Sequence, residues 1–256
     1  NELPVTDTRV SPFVQLRSYV ADYHRVHDFE TLGLEEDFRV GHEAVVRLYP
    51  ATRQVASTRD MLGTHAALGY GVRLGSGIAR AIASSTIEKS TRAATDATFQ
   101  LSARLVTPRV GFGRFVYDGL LVNHYENYLN ERLTVGGDGR LRGYAPQAFI
   151  GKDVVASNLE FRTRPVQIWS VQVGGAAFYD AADAFDGISD LRLKHAVGVG
   201  LRTVFPQAER TVFRADYGVP VTSSGLVFPG ALFIAFGQAF GMPSIPAPSL
   251  ETEYGD

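Results

Sequence analysis

The chain has 256 residues, with 25 basic and 27 acidic side chains, 26 glycines, 16 phenylalanines, 11 tyrosines and no cysteine. A formal charge of -2 leaves no basic surface for nucleic acid, and the missing cysteines exclude disulfides, thiolate metal sites and a cysteine nucleophile. Abundant glycine and aromatic residues favour strands and tight turns, so a mostly β chain is expected.

The chain opens Asn1-Glu2-Leu3-Pro4, with neither a basic nor an apolar leader region, so any export signal is expected upstream or already removed. Long strands are then predicted over 12–29, 38–49, 61–73, 76–87, 94–107 and 110–125, at ten or more residues each the length of a tilted membrane span. After a loop over 126–152 come strands over 154–163, 169–180, 197–205 and 213–217, and a final one over 230–240, about eleven in all. Successive side chains of a strand point to opposite faces. From Trp169 one phase reads Trp169, Val171, Val173, Gly175, Ala177, Tyr179, and the other Ser170, Gln172, Gly174, Ala176, Phe178, Asp180. The same split recurs in Val197, Val199, Leu201 against Gly198, Gly200, Arg202, and in Phe213, Ala215, Tyr217 against Arg214, Asp216. A greasy phase opposite a small, polar and sporadically charged one is the pattern of a wall between lipid and a wet or plugged interior.

From Tyr217 to Leu250 no residue is charged, but Pro220, Pro229, Pro243 and Pro246 leave no run long enough for a spanning helix. The division expected is a barrel region over 1–240 and a Pro-rich tail over 241–256. Other motifs fail. Gly69 and Gly71 are followed by Leu74 where a dinucleotide loop needs glycine, and the same residue breaks a nucleophile elbow around Ser76. His24 and His27 face opposite sides of a strand, so no metal site is expected. Glu160 and Asp180 have no accompanying nucleophile or binding loop, so no enzyme activity and no cofactor are expected.

The stretch from Arg132 to Pro165 contains Leu141-Arg142-Gly143-Tyr144, then Glu160 within Asn158-Leu159-Glu160-Phe161-Arg162, and the next strand carries Phe178-Tyr179-Asp180. In this order it resembles the bacterial surface-antigen family of outer-membrane assembly factors and two-partner secretion transporters. The resemblance implies a sixteen-stranded transmembrane β-barrel of which this chain holds the later strands. It also implies a bacterial outer-membrane location, with lipid, client outer-membrane proteins or a secreted polypeptide, and periplasmic accessory proteins as partners. An inward-folded loop would carry Leu141, Arg142, Gly143 and Tyr144, and Phe236 and Phe240 would belong to the closing strand. The 241–256 tail departs from the family, whose chains end at that aromatic.

Strand parity adds to this. Glu160 shares a phase with Asn158 and Arg162, and Asp180 with Ser170 and Gln172, so both carboxylates are expected to face the interior. An arginine entering there could make paired charge-assisted hydrogen bonds, Gly143 would permit close backbone approach, and Tyr144 would pack on the wall. The expected function is insertion of outer-membrane proteins or translocation of polypeptide; a barrel that anchors or exports a fused domain, or a passive pore, stands as the alternative.

Overall fold

The computed structural model describes residues 3–90, 95–138, 140–207 and 209–245. The chain is all-β, and no helix is long and apolar enough to cross a membrane among the described residues. Its strands are β1 (Val14–Tyr19), β2 (Asp22–His27), β3 (Glu35–Ala51), β4 (Met61–Leu74), β5 (Gly77–Ser90), β6 (Asp96–Val106), β7 (Gly113–Asn127), β8 (Leu133–Val135) and β9 (Phe149–Gly151). They continue as β10 (Asp153–Thr163), β11 (Val166–Ile168), β12 (Val171–Phe185), β13 (Lys194–Phe205), β14 (Glu209–Thr222), β15 (Gly225–Leu226) and β16 (Ala231–Phe236).

Fourteen of them form one antiparallel sheet, ordered β1-β3-β4-β5-β6-β7-β10-β12-β13-β14-β15, with β2 on β3, β11 on β12 and β16 on β14; β8 and β9 form a separate hairpin. Among the described residues the count is therefore sixteen, not about eleven. The excess is short elements: the first predicted strand divides into β1 and β2, and β8, β9, β11 and β15 are two or three residues long. Among the described residues no pairing joins the first strands to β16, so the sheet is open. The final strand ends at Phe236, not Phe240, because Gly237 takes a left-handed φ of 84° and turns the chain off the ladder. The predicted start at Ala94 and the tail beyond Ile245 lie outside the described residues.

The sheet curls on itself. In the connection 28–34, Phe29 packs with Ile78, Val106 and Val116 of β5, β6 and β7, while Leu32 packs with Val204 and Val212 of β13 and β14. One segment thus bridges distant strands across the end that also carries turns 75–76, 107–112 and 164–170. The connections 52–60, 128–152, 186–193 and 223–230 lie at the opposite end.

Polarity is inverted relative to a water-soluble core. The largest side chains shielded from solvent include Arg142, Arg202, Glu43, Glu88 and Glu160, whereas Leu62, Leu68, Tyr70, Leu159, Val199, Leu201, Leu232 and Ile234 are exposed on the outer face. Alternation produces this strand by strand: in β10, Asn158, Glu160 and Arg162 are buried on either side of exposed Leu159 and half-buried Phe161. Near the short-turn end the outer face carries an aromatic row. Phe161 packs edge-on against Phe112 and Phe115, both at 5.1 Å, Phe213 packs against Phe236 at 5.8 Å, and Trp169 is 93% exposed.

Candidate functional site: a buried arginine hub

The loop 128–152 folds inward. Its base is the β8–β9 hairpin, in register from Leu133 opposite Gly151 to Val135 opposite Phe149. Val135 packs with Val154 and Ala184 of the wall, and Leu141, fully buried, packs with Ala156, Ala182 and Ala196 of β10, β12 and β13. Small wall residues make room for the loop. At the tip, Gly143 has φ 109°, and a Cβ there would come within 3.0 Å of the Gly218 and Val219 backbone; a Cβ on Gly218 would lie 2.7 Å from Arg142 and Gly143 backbone atoms. Two glycines facing each other therefore let loop and β14 touch backbone to backbone.

This contact delivers Arg142, with no solvent exposure, to three carboxylates on three strands. Asp180 on β12 accepts from Arg142 Nε at 2.9 Å, Nη2 at 2.8 Å and the Arg142 backbone N–H at 3.1 Å. Glu160 on β10 accepts from Nη1 at 2.5 Å, and Asp216 on β14 from the same nitrogen at 3.2 Å. The guanidinium lies 3.6 Å from the Phe178 ring centroid, a cation–π contact. Burial works against the charged form, but the Asp180 bonds and the charges of Glu160, Asp180 and Asp216 outweigh it, so Arg142 holds its proton more firmly than a free arginine.

A second ring of charge completes the cluster. Arg162 donates to Glu160 at 2.7 Å, Arg202 to Asp216 at 2.5 Å and Arg214 to Asp216 at 2.8 Å; Arg214 also pairs with Asp138 of the loop. Four guanidiniums (Arg142, Arg162, Arg202, Arg214) thus face four carboxylates (Glu160, Asp180, Asp216, Asp138). Such neutrality is what makes so dense a buried cluster tolerable. Asn158 ties loop to wall again, donating at 2.8 Å to both the Arg140 carbonyl and Asp180.

Strand phase places Asp216 inward without assigning it to Arg142, and gives Phe178 no role beside the arginine. Tyr144 stacks edge-on with Phe149 at 5.3 Å and donates to the His195 carbonyl at 3.3 Å. Phe236, 75% exposed, lies on the outer face of the last strand. Phe240 does not share it: past the Gly237 turn it is buried inside, with its ring 5.4 Å from the Arg142 guanidinium and 4.9 Å from that of Arg140. His27 pairs with Glu35 at the sheet edge, and no group of three or more acidic or histidine side chains is arranged to hold a metal among the described residues.

A cluster of opposite sense lies on the other side of the interior. Glu43 of β3, buried, accepts from Arg80 at 2.7 Å and from Arg17, and forms an ion pair with Arg39 at 2.7 Å. The chain beyond Phe240 reaches this wall: Arg80 donates to the Pro243 carbonyl at 2.7 Å, and Ile245 packs with Val45, Ala67 and Ile82. No family model matches this sequence, and no curated protein matches it at a significant level.

Proposed function

We propose that this chain is the wall of a bacterial outer-membrane β-barrel of the surface-antigen kind, one that inserts outer-membrane clients or translocates polypeptide, with Arg142 pinning an inward loop to the wall. The observation that carries this reading is the inverted polarity: Leu159, Val199, Leu201, Leu232 and Ile234 face outward while Arg142, Glu160, Asp180 and Asp216 face inward. In water so large an outward apolar face is an association hazard, whereas against hydrocarbon it is the favourable surface. The exposed aromatics at one end suit a membrane–water interface.

Support for insertion over passive diffusion comes from the interior and the edge. A diffusion pore needs an open lumen, and here loop 128–152, connection 28–34 and residues 240–245 all enter the interior. The outer edge of β16 is unpaired among the described residues, and an unpaired edge is a template for adding a client strand.

The deciding experiment is Arg142→Ala in the complete protein, with heat-modifiable migration and client insertion as readouts. Loss of both is expected, Arg142→Lys recovering part because it restores charge without the paired geometry; unchanged behaviour in both would remove the pinned-loop reading. For the membrane placement, Leu159→Arg is expected to cost roughly 2–4 kcal/mol in folding into lipid vesicles. A change near zero would mean that Leu159 faces water.

A further inference from the structure

The guanidiniums of the interior nearly all have carboxylate partners, and the exception lies at the short-turn end. Seven arginines carry a buried N–H without a hydrogen-bond partner among the described residues: Arg39, Arg59, Arg104, Arg114, Arg162, Arg202 and Arg214. Six of them hold a carboxylate through another nitrogen of the guanidinium. Arg114, 5% exposed, has no carboxylate within ion-pair distance among the described residues, Asp28 and Glu36 acting on it from farther away, and the Phe29 ring lies 4.7 Å from its guanidinium carbon. Its buried Nη1, without an acceptor, has hydrogen-bonding capacity left over.

Arg114 lines two adjoining cavities, each of which also has Arg109 in its wall. The outer one, of about 300 Å³, is completed by Arg25, Val26, His27 and Ser76. The inner one has room for a water-sized group and adds Arg162, Arg164 and Arg202, with Asp28 as the acidic residue of its lining. Carboxylates do reach these side chains: Asp28 accepts from Arg109 at 2.7 Å, Asp37 from Arg25 at 3.1 Å, and Glu35 lies 3.2 Å from His27. Arg25 and His27 are thus held by exposed acids at the rim, whereas Arg109 is half-exposed and tied to a single carboxylate. Rotating it off Asp28 would bring a second guanidinium beside Arg114 at the junction of the two cavities.

We propose that this mouth is an anion site for a phosphoryl group, with Arg114 as the fixed, buried ligand, Arg109 as the mobile one and Ser76 as a neutral donor. Two planar guanidiniums and a hydroxyl match a tetrahedral oxyanion, and they lie in a partly enclosed space where a charge-assisted bond is worth more than at an open surface. The inner cavity shares Arg162 and Arg202 with the Arg142 cluster, but Arg114, Arg109 and Ser76 lie outside that cluster and the site does not depend on the membrane reading. The phosphoryl group can come from free phosphate or from a lipid headgroup, since Phe112, 70% exposed, ends the same 107–112 turn that carries Arg109.

The test is binding of inorganic phosphate by the full folded chain, read as a saturable thermal shift against chloride at equal ionic strength. Arg114→Gln is expected to weaken it about tenfold. Asp28→Asn is expected to tighten it about threefold, by releasing Arg109 while leaving an oxygen for the Gly33 N–H and a residue type tolerated at its φ of 63°. The second variant carries the test if the first does not fold. Vesicles containing phosphatidylglycerol, set against phosphatidylcholine alone, separate the sources. Competition with phosphate assigns the site to a lipid headgroup, and phosphate binding without competition assigns it to the free ion. No saturable phosphate binding, or the same affinity in wild type and both variants, overturns the proposal.

Discussion

The two interior hubs are mirror images. Around Arg142 one guanidinium gathers Glu160, Asp180 and Asp216, all with side chains at most 1% exposed. Around Glu43 one carboxylate gathers Arg17, Arg39 and Arg80, and there Arg17 and Arg39 keep 27% and 22% of their side-chain surface in solvent. The pairing chemistry is the same, so the comparison isolates burial. What a hub contributes depends on whether its partners can reach water once it is gone, because an orphaned charge in a shielded interior keeps its desolvation cost while a half-exposed one rehydrates.

The largest effect should therefore follow Arg142→Ala. It leaves buried Asp180 without a cation and removes one of the partners of Glu160 and of Asp216, which keep Arg162, Arg202 and Arg214, and a loss of about 3–5 kcal/mol is expected from denaturant unfolding. Next comes Gly218→Val, which leaves every charge in place but drives a side chain into the loop backbone; about 1–3 kcal/mol is expected, with protease cleavage appearing within 128–152. Equal protection of the loop in that variant would show that charge alone seats it. Glu43→Gln should cost less than Arg142→Ala, about 1–2 kcal/mol, since two of its three arginines have water beside them. A cost matching that of Arg142→Ala would break the comparison. At the bottom, Arg25→Ala removes a pair in which Arg25 and Asp37 are both more than half exposed, and no shift of the unfolding midpoint is expected.

Alternation made the wall legible. In β10 and β12 the period of two assigned Glu160 and Asp180 to one face and Leu159 and Tyr179 to the other, and the Cα register sets Asn158 opposite Asp180 and Glu160 opposite Phe178. Asp216 was assigned a face but no partner, because phase says which way a side chain points and nothing about which strand the loop will touch. Phe178 carried no signal as an arginine platform, being one aromatic in a phase of small residues. Phe240 was misplaced because a single left-handed glycine at 237 ends the period, and the sequence continues to alternate past the point where the backbone turns. The crossings by residues 28–34 and 240–245 were invisible for a related reason: they have no repeat, and their partners lie far along the chain.

Distance along the chain also gives the Arg142 contacts an order. Glu160 lies 18 residues downstream of the arginine, Asp180 lies 38 and Asp216 lies 74. Loop closure over longer segments is entropically dearer, so neighbours in sequence tend to meet first and Asp216 joins last, when β14 docks. Until that strand arrives the tip arginine has two acids and Arg202 of β13 lacks Asp216, which β14 brings together with its own Arg214. The pairing in the interior is thus complete only when the far side of the wall is in position, which makes the hub a chemical record of whether chain assembly has run to its end.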